Sequence, residues 1–167
     1  TTTRFFRSAG GRVDLLAIAK NPNANAGVRK VPYVFELRSG PRSVATVRGE
    51  TFFLPGQEKP IVAINAEAPG EVDGVTLTFS EPEWVPVERT FRGPSLVVVD
   101  RVVAVRDGAS AAYEVKGLLA NESDVDFLTV EITALGLDAS GDILGVGRTF
   151  VGSLLTLERR EFTVSWP

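Results

Sequence analysis

Residues 15–23, LLAIAKNPN, decide how this chain is read: an apolar run closed by Asn21-Pro22-Asn23. Proline fixes its own φ and cannot donate to a ladder, and asparagine side chains bond the backbone two residues on, so the tripeptide ends a strand. Both faces of the run are apolar (Val13, Leu15 and Ala17 against Leu16 and Ile18), which suits an interior strand. Its surroundings recur roughly a hundred residues later. A second apolar run, residues 115–120, enters Asn121-Glu122-Ser123. Gly49-Glu50-Thr51-Phe52 begins 28 residues after Asn21, and Gly147-Arg148-Thr149-Phe150 begins 26 residues after Asn121. Each half then passes through a polar turn, 55–60 or 157–160, into a closing strand, 61–67 or 161–166. The pattern predicts two copies of one β unit, with Asn21, Pro22, Asn23, Gly49, Asn121 and Gly147 in structural roles.

Outward from that stretch, strand signals follow one another. Val31, Tyr33, Phe35 and Leu37 share one face and Glu36 and Arg38 the other, a half-buried strand that turns at residues 39–42 into a partner over 44–47. Residues 51–54 continue it until Pro55-Gly56, which marks a turn. Residues 75–79 alternate Val, Leu and Phe with Thr. Pro82 and Pro86 mark residues 81–87 as an edge strand or a crossing between units. Residues 96–106 are valine-rich and end at Asp107-Gly108. Strands over 111–119 and 127–137 follow, then a hairpin turn at 138–142 into 143–146. Phe162, Val164 and Trp166 alternate with Thr163 and Ser165. No apolar pattern of helical period and length is present. The fold class expected is all-β, two tandem Ig-like/fibronectin-III-like β-sandwiches. The segments are an N-terminal extension (1–11), a first sandwich (12–90), a linker (91–94) and a second sandwich (95–167). The extension is either a frayed end or an added strand anchored by Phe5 or Phe6.

Composition narrows the chemistry. The 167 residues contain no His, no Cys and no Met, and carry a net charge of −3. Without imidazole or thiol there is no Ser-His or Cys-His nucleophile pair and no ordinary zinc site, so no enzyme is expected. No G-x-S-x-G, phosphate loop or dinucleotide fingerprint is present, and no cofactor is expected. Residues 1–50 hold nine Lys or Arg against Asp14, Glu36 and Glu50, whereas residues 91–167 hold seven basic and eleven acidic residues. A basic front and an acidic back would orient binding to an anionic surface or favour head-to-tail contact between copies. No apolar run approaches the roughly 18 residues that span a bilayer as a helix. The sequence starts at Thr1, so a signal or membrane anchor is expected, if anywhere, upstream of it.

Three groups of residues are candidates for binding. Arg29, Lys30, Arg38, Arg42 and Arg48 would form a basic patch if loop and hairpin meet at one end of the first sandwich. Few aromatics interleave with them, so an acidic protein surface is expected there and nucleic acid is not. Asn121, Glu122, Ser123, Asp124 and Asp126 place hard oxygen ligands close together, a weak calcium candidate; a solvated acidic loop is the ordinary outcome, and no metal is expected. Asp138 to Asp142 resembles the start of a calcium loop, but Ile143 and Thr149 stand where its Gly and Glu belong, which leaves a hairpin turn.

LLAIAKNPN resembles the water-stress and hypersensitive-response (WHy) domain of group 2 late-embryogenesis-abundant proteins, a fibronectin-III-like sandwich in which an NPN follows an early strand. The second half is similar to the bacterial FxLYD domain, with counterparts at residues 115–121, 130–137, 138–141 and 162–166. It departs from that pattern at Ala134, Gly136 and Leu137, where the leading aromatic, the Leu and the Tyr belong. In the first half Phe35-x-Leu37 is kept, but Arg38 and Ser39 replace Tyr and Asp. These resemblances imply tandem modules of a surface-exposed or membrane-anchored protein, extracytoplasmic and without catalytic residues. The function expected is a structural or protein-interaction module that meets itself or a cell-surface partner. It would be joined to a membrane only through an upstream anchor, and would assemble into a filament or surface layer if Phe5 and Phe6 complete a neighbour's sheet. The alternative is a small-molecule-, lipid-binding or stress-protective module of the WHy kind.

Overall fold

The structure, a computed structural model, describes residues 1–88, 93–106 and 112–166, with backbone alone at Ala9, Val105, Arg106, Ala112 and Trp166. The described residues form antiparallel strands joined by turns, with one short 3-10 turn and no α-helix. The protein is all-β, of the sandwich kind. The chain divides into two compact units, Thr1–Arg92 and Gly93–Pro167.

Unit one is built from β1 (Thr2–Ser8), β2 (Arg12–Lys20), β3 (Ala26–Ser39), β4 (Arg42–Phe53), β5 (Glu58–Glu67), β6 (Gly74–Phe79) and the short β7 (Val85–Pro86). One sheet runs β1-β2-β5 and the other β4-β3-β6, with β7 paired to the start of β3. The apolar faces read from the sequence meet between them: Leu15, Phe35 and Leu37 are fully buried, and Val31 and Tyr33 are buried beside them. Rings fill the interior edge to face, Tyr33 against Phe35 at 5.6 Å and Phe53 against Phe79 at 5.7 Å. Such pairs are worth about 0.5–1.5 kcal/mol beyond their buried area.

The segments read at 44–47 and 51–54 lie in one strand, β4, which runs unbroken through Gly49. Gly49 stands opposite Tyr33, whose ring lies where a Cβ at Gly49 would be, so the glycine makes room for the ring. Of the two readings of the N-terminal segment, the structure has the added strand. β1 pairs along β2 with Phe5 opposite Leu15, and Phe5 packs against the core of its own unit. Thr3 Oγ1 donates to the Val75 carbonyl at 2.8 Å and Arg7 Nη2 to the Val72 carbonyl at 3.1 Å, lacing β1 to the β6 side. Asp14 sits buried at a bulge in β2. Its carboxylate accepts from Ser8 Oγ at 2.9 Å and from the Asn65 N–H at 2.7 Å.

Unit two contains β8 (Leu96–Arg106), β9 (Ala112–Asn121), β10 (Phe127–Leu137), β11 (Ile143–Leu154) and β12 (Arg159–Trp166). Its sheets are β8-β9-β12 and the hairpin β10-β11. Leu119, Val130, Val151, Leu154, Phe162 and Val164 form the core. Phe162 and Val164 are buried and Thr163 and Ser165 exposed; the Trp166 side chain, read with them, lies outside the described residues. The Asp107-Gly108 turn lies outside as well, and the linker read at 91–94 does so in part.

Gly117 of β9 is opposite Phe162, whose ring crosses it. A Cβ there would stand 2.5 Å from the ring and 2.8 Å from the Asp100 carbonyl oxygen. Gly117→Ala is therefore expected to destabilise unit two by about 1–3 kcal/mol, since a packed ring must move. The midpoint of urea unfolding reads this, and an unchanged midpoint would mean that Phe162 does not lie over Gly117.

Candidate functional site

At the same end of each unit a buried asparagine closes the loop after the second strand. Asn21 Nδ2 donates to the carbonyls of Ala26 at 2.8 Å and Leu54 at 2.9 Å, while its Oδ1 accepts the Asn23 N–H at 2.9 Å. Asn121 Nδ2 donates to the carbonyls of Val125 at 2.7 Å and Leu155 at 3.0 Å, while its Oδ1 accepts the Ser123 N–H at 3.0 Å. Both side chains are shut from solvent, at 2% and 1% exposure, and a polar group that buried is stable only when every lone pair and proton is matched. The Asn21 N–H also bonds the Gln57 carbonyl and the Asn121 N–H the Glu158 carbonyl. Each asparagine thus ties one loop to the turn after the fourth strand of its unit.

A second pair of residues, not picked out from the sequence, completes these turns. Gln57 Oε1 accepts the Leu54 N–H at 3.0 Å, and Glu158 Oε2 accepts the Leu155 N–H at 2.7 Å. Their signal in the sequence is a shared offset, each three residues after a leucine (Leu54-Pro55-Gly56-Gln57 and Leu155-Thr156-Leu157-Glu158). The third position is left-handed in both, Gly56 at φ 65° and Leu157 at φ 59°. The Leu155 amide, then the Arg160 guanidinium at 2.6 Å, hold the Glu158 carboxyl below its ordinary value of 4.5.

The residues expected to bind are placed as follows. Asn121 spends its amide on the backbone, and Asp126 Oδ1 accepts from the Thr156 N–H at 2.7 Å and Thr156 Oγ1 at 2.9 Å, fixing a loop. Glu122 and Asp124 are exposed. Asp138 Oδ1 accepts the N–H groups of Ser140 and Asp142, which makes the hairpin turn. Among the described residues no group of three or more acidic side chains is arranged to hold a metal ion.

The basic patch does not converge. Arg29 and Lys30 lie at the start of β3 and Arg38 at its end, with Arg42 across from Ser39 and Arg48 across from Val34. At about 3.3 Å per residue the two ends are roughly 30 Å apart. Lys30 meets Glu50 at 2.9 Å and Arg38 meets Glu36 at 3.3 Å, so the face carries mixed charge. The convergence expected from the sequence fails because the hairpin is longer than the alternation over 31–38 indicates. Phe5 and Phe6 sit in β1, within their own sheet.

One concavity was not foreseen: an open depression of about 560 Å³ lined by Val28, Phe52, Phe53, Pro55, Val85 and Pro86. The Lys59 ammonium stands 3.9 Å from the centre of the Phe52 ring at its edge. Unit two, by contrast, leaves large apolar side chains in solvent, among them Val103 at 63%, Leu128 at 89% and Phe150 at 56%. Compared with known proteins, the chain gives no match to a family model, a curated protein or a solved structure.

Asn21→Ala and Asn121→Ala should each lower stability by about 2–4 kcal/mol, because buried backbone groups lose their partners, while Asp124→Asn should be neutral. Denaturant unfolding checks both. Glu158 adds a pH-dependent part. Its folded value is depressed, so its contribution is present above the ordinary glutamate range and is lost as pH falls through the lowered folded value. Glu158→Gln should flatten the acid limb of the stability-against-pH curve; an identical limb in the variant would sink this assignment.

Proposed function

We propose that this chain is a non-catalytic protein-interaction module. The single observation that carries the reading is the number of large apolar side chains in unit two, valines, leucines and a phenylalanine, that stand more than half exposed, while Asn121 and Asp126 of its polar loop are committed to holding turns. Where exposed apolar side chains adjoin, such area is a mark of contact with another chain. The setting that goes with it is extracytoplasmic, as the soluble part of a surface or membrane-anchored protein, and this rests on the family resemblances alone. Association with further copies belongs to the same proposal. The N-terminal segment is not needed for it, because β1 has a place in its own sheet.

Sedimentation velocity over a wide range of concentration tests the reading. Association that grows with concentration, and weakens in Leu128→Ser and Phe150→Ser, is the expected result. A strict monomer that takes up a fatty acid at the Phe52 and Val85 depression, seen as NMR shifts at those residues, would replace it with the small-molecule and lipid-binding alternative.

A further inference from the structure

The asparagine-clipped ends of the two units are bonded alike and surfaced differently. In unit two the loop and the turn adjoin, since Asn121 Nδ2 reaches both the Val125 and the Leu155 carbonyls, at 2.7 and 3.0 Å. Thr156 is fastened to Asp126 through its N–H and its Oγ1 as well. That end holds Val125, Leu155 and Leu157 in solvent, at 48%, 54% and 76% exposure. Unit one makes the same clip with residues 21–26 and 54–57, which contain no Val, Ile, Phe or Leu except the half-buried Leu54.

Leu157 separates what the turn needs from what the surface shows. Its position is left-handed at φ 59°, and Gly56 fills the matching position at φ 65°. Glycine closes the same turn without the steric cost that a Cβ brings there. Neither the turn nor the core, away from which Leu157 points, calls for a leucine; contact with something outside the unit does. Charge differs as well. Residues 121–126 and 155–158 hold Glu122, Asp124, Asp126 and Glu158 and no Lys or Arg, whereas 21–26 and 54–57 hold no charge. Arg159 and Arg160 follow in β12, and Arg160 is paired with Glu158 at 2.6 Å. The clipped end of unit two is an apolar tip with an acidic rim.

Its complement is the depression of unit one. That hollow of about 560 Å³ stands beside the corresponding turn, with Pro55 in its wall and Phe52, Phe53 and Val85 around it. Arg29 lines it, the Lys59 ammonium stands over Phe52 at its edge, and Glu88 is the one carboxylate among the described lining residues. Apolar walls under two cations match an apolar tip among acids. We propose that the clipped end of unit two docks into the unit-one depression of a second copy of this chain. Leu155 and Leu157 enter the hollow, and the acids of residues 121–126 face Arg29 and Lys59. Tip and socket are different surfaces, so every copy offers one of each and the contact can repeat head to tail. This rests on the interaction reading above and names its two surfaces and its partner.

Sedimentation velocity of the full chain, with paired variants, tests the docking. Leu155→Ser with Leu157→Gly removes the tip. Arg29→Glu with Phe52→Ser spoils the socket, and Arg29→Glu alone serves where Phe52→Ser disturbs the fold. Each should weaken association by about tenfold or more, and added salt should weaken it in the unsubstituted chain. Leu157→Gly by itself should weaken association without lowering the midpoint of urea unfolding, a split that a leucine serving only the turn would not give. A tip variant mixed with a socket variant should form a dimer and nothing longer, because one intact tip and one intact socket remain between them. Tip or socket variants that assemble like the unsubstituted chain overturn the inference. So do mixtures that stay monomeric or grow past a dimer, and a chain that is monomeric at every concentration. Association that weakens in Leu128→Ser and Phe150→Ser but not in the tip variants would sink this docking and leave the interaction reading standing.

Discussion

A carboxamide with no access to water is the constraint on which each unit depends. Asn21 and Asn121 each place two N–H donors and one oxygen among main-chain groups that belong to different parts of the chain, one in the adjoining loop and one more than thirty residues away. Neither aspartate nor glutamine could replace them. Aspartate has no donor for the two carbonyls, and glutamine is longer by a methylene in a space with none to spare. The bonded turn then fixes where the fourth strand ends and the fifth begins, and hence which residues face inward on both sheets.

Much of this was legible in the sequence because it is local. An asparagine bonding two residues on, a proline after it and an alternation of apolar and polar residues are all decided within a few positions, and they mark the ends of β2 and β9 and the inward faces of β3, β6 and β12. What depends on a distant partner was not legible. Why position 49 needs a glycine appears only once Tyr33 is known to lie across it, and Arg29 and Arg38 read as neighbours until β3 is seen to be a single strand of 14 residues. The segment around Phe5 was ambiguous for the same reason. Whether Thr2–Ser8 frays or joins a sheet depends on β2 and on carbonyls beyond residue 70, and nothing near Phe5 reports them.

The pairing of turns shows one local solution used at two places in the chain. Gly56 and Leu157 occupy the same left-handed position, yet only glycine does so without a Cβ penalty of about 1–2 kcal/mol. Leu157 holds it because the bonds on either side, from the Leu155 N–H to Glu158 and from the Glu158 N–H to the Leu155 carbonyl, determine the turn before the residue inside it has a choice. Strain at that place is a cost of the shared clip.

The interiors differ in a way that locates the asymmetry between the units. Where unit one has Tyr33 and Phe35 on β3, unit two has Ala134 and Gly136 on β10, and the lost volume is returned from the opposite sheet. Leu119 stands in the place of Ala19, Phe162 in that of Ile61 and Val164 in that of Ala63, all of them in the buried cores. Side-chain exchange of that kind keeps density across the middle of a sandwich, because large and small residues can trade across facing layers. It cannot supply main-chain partners. The ladder that β6 provides to β3 has no substitute made of side chains, so repacking of this kind fills the core without itself pairing a strand. Volume can be restored from across the core, but a strand edge can be satisfied only by another strand.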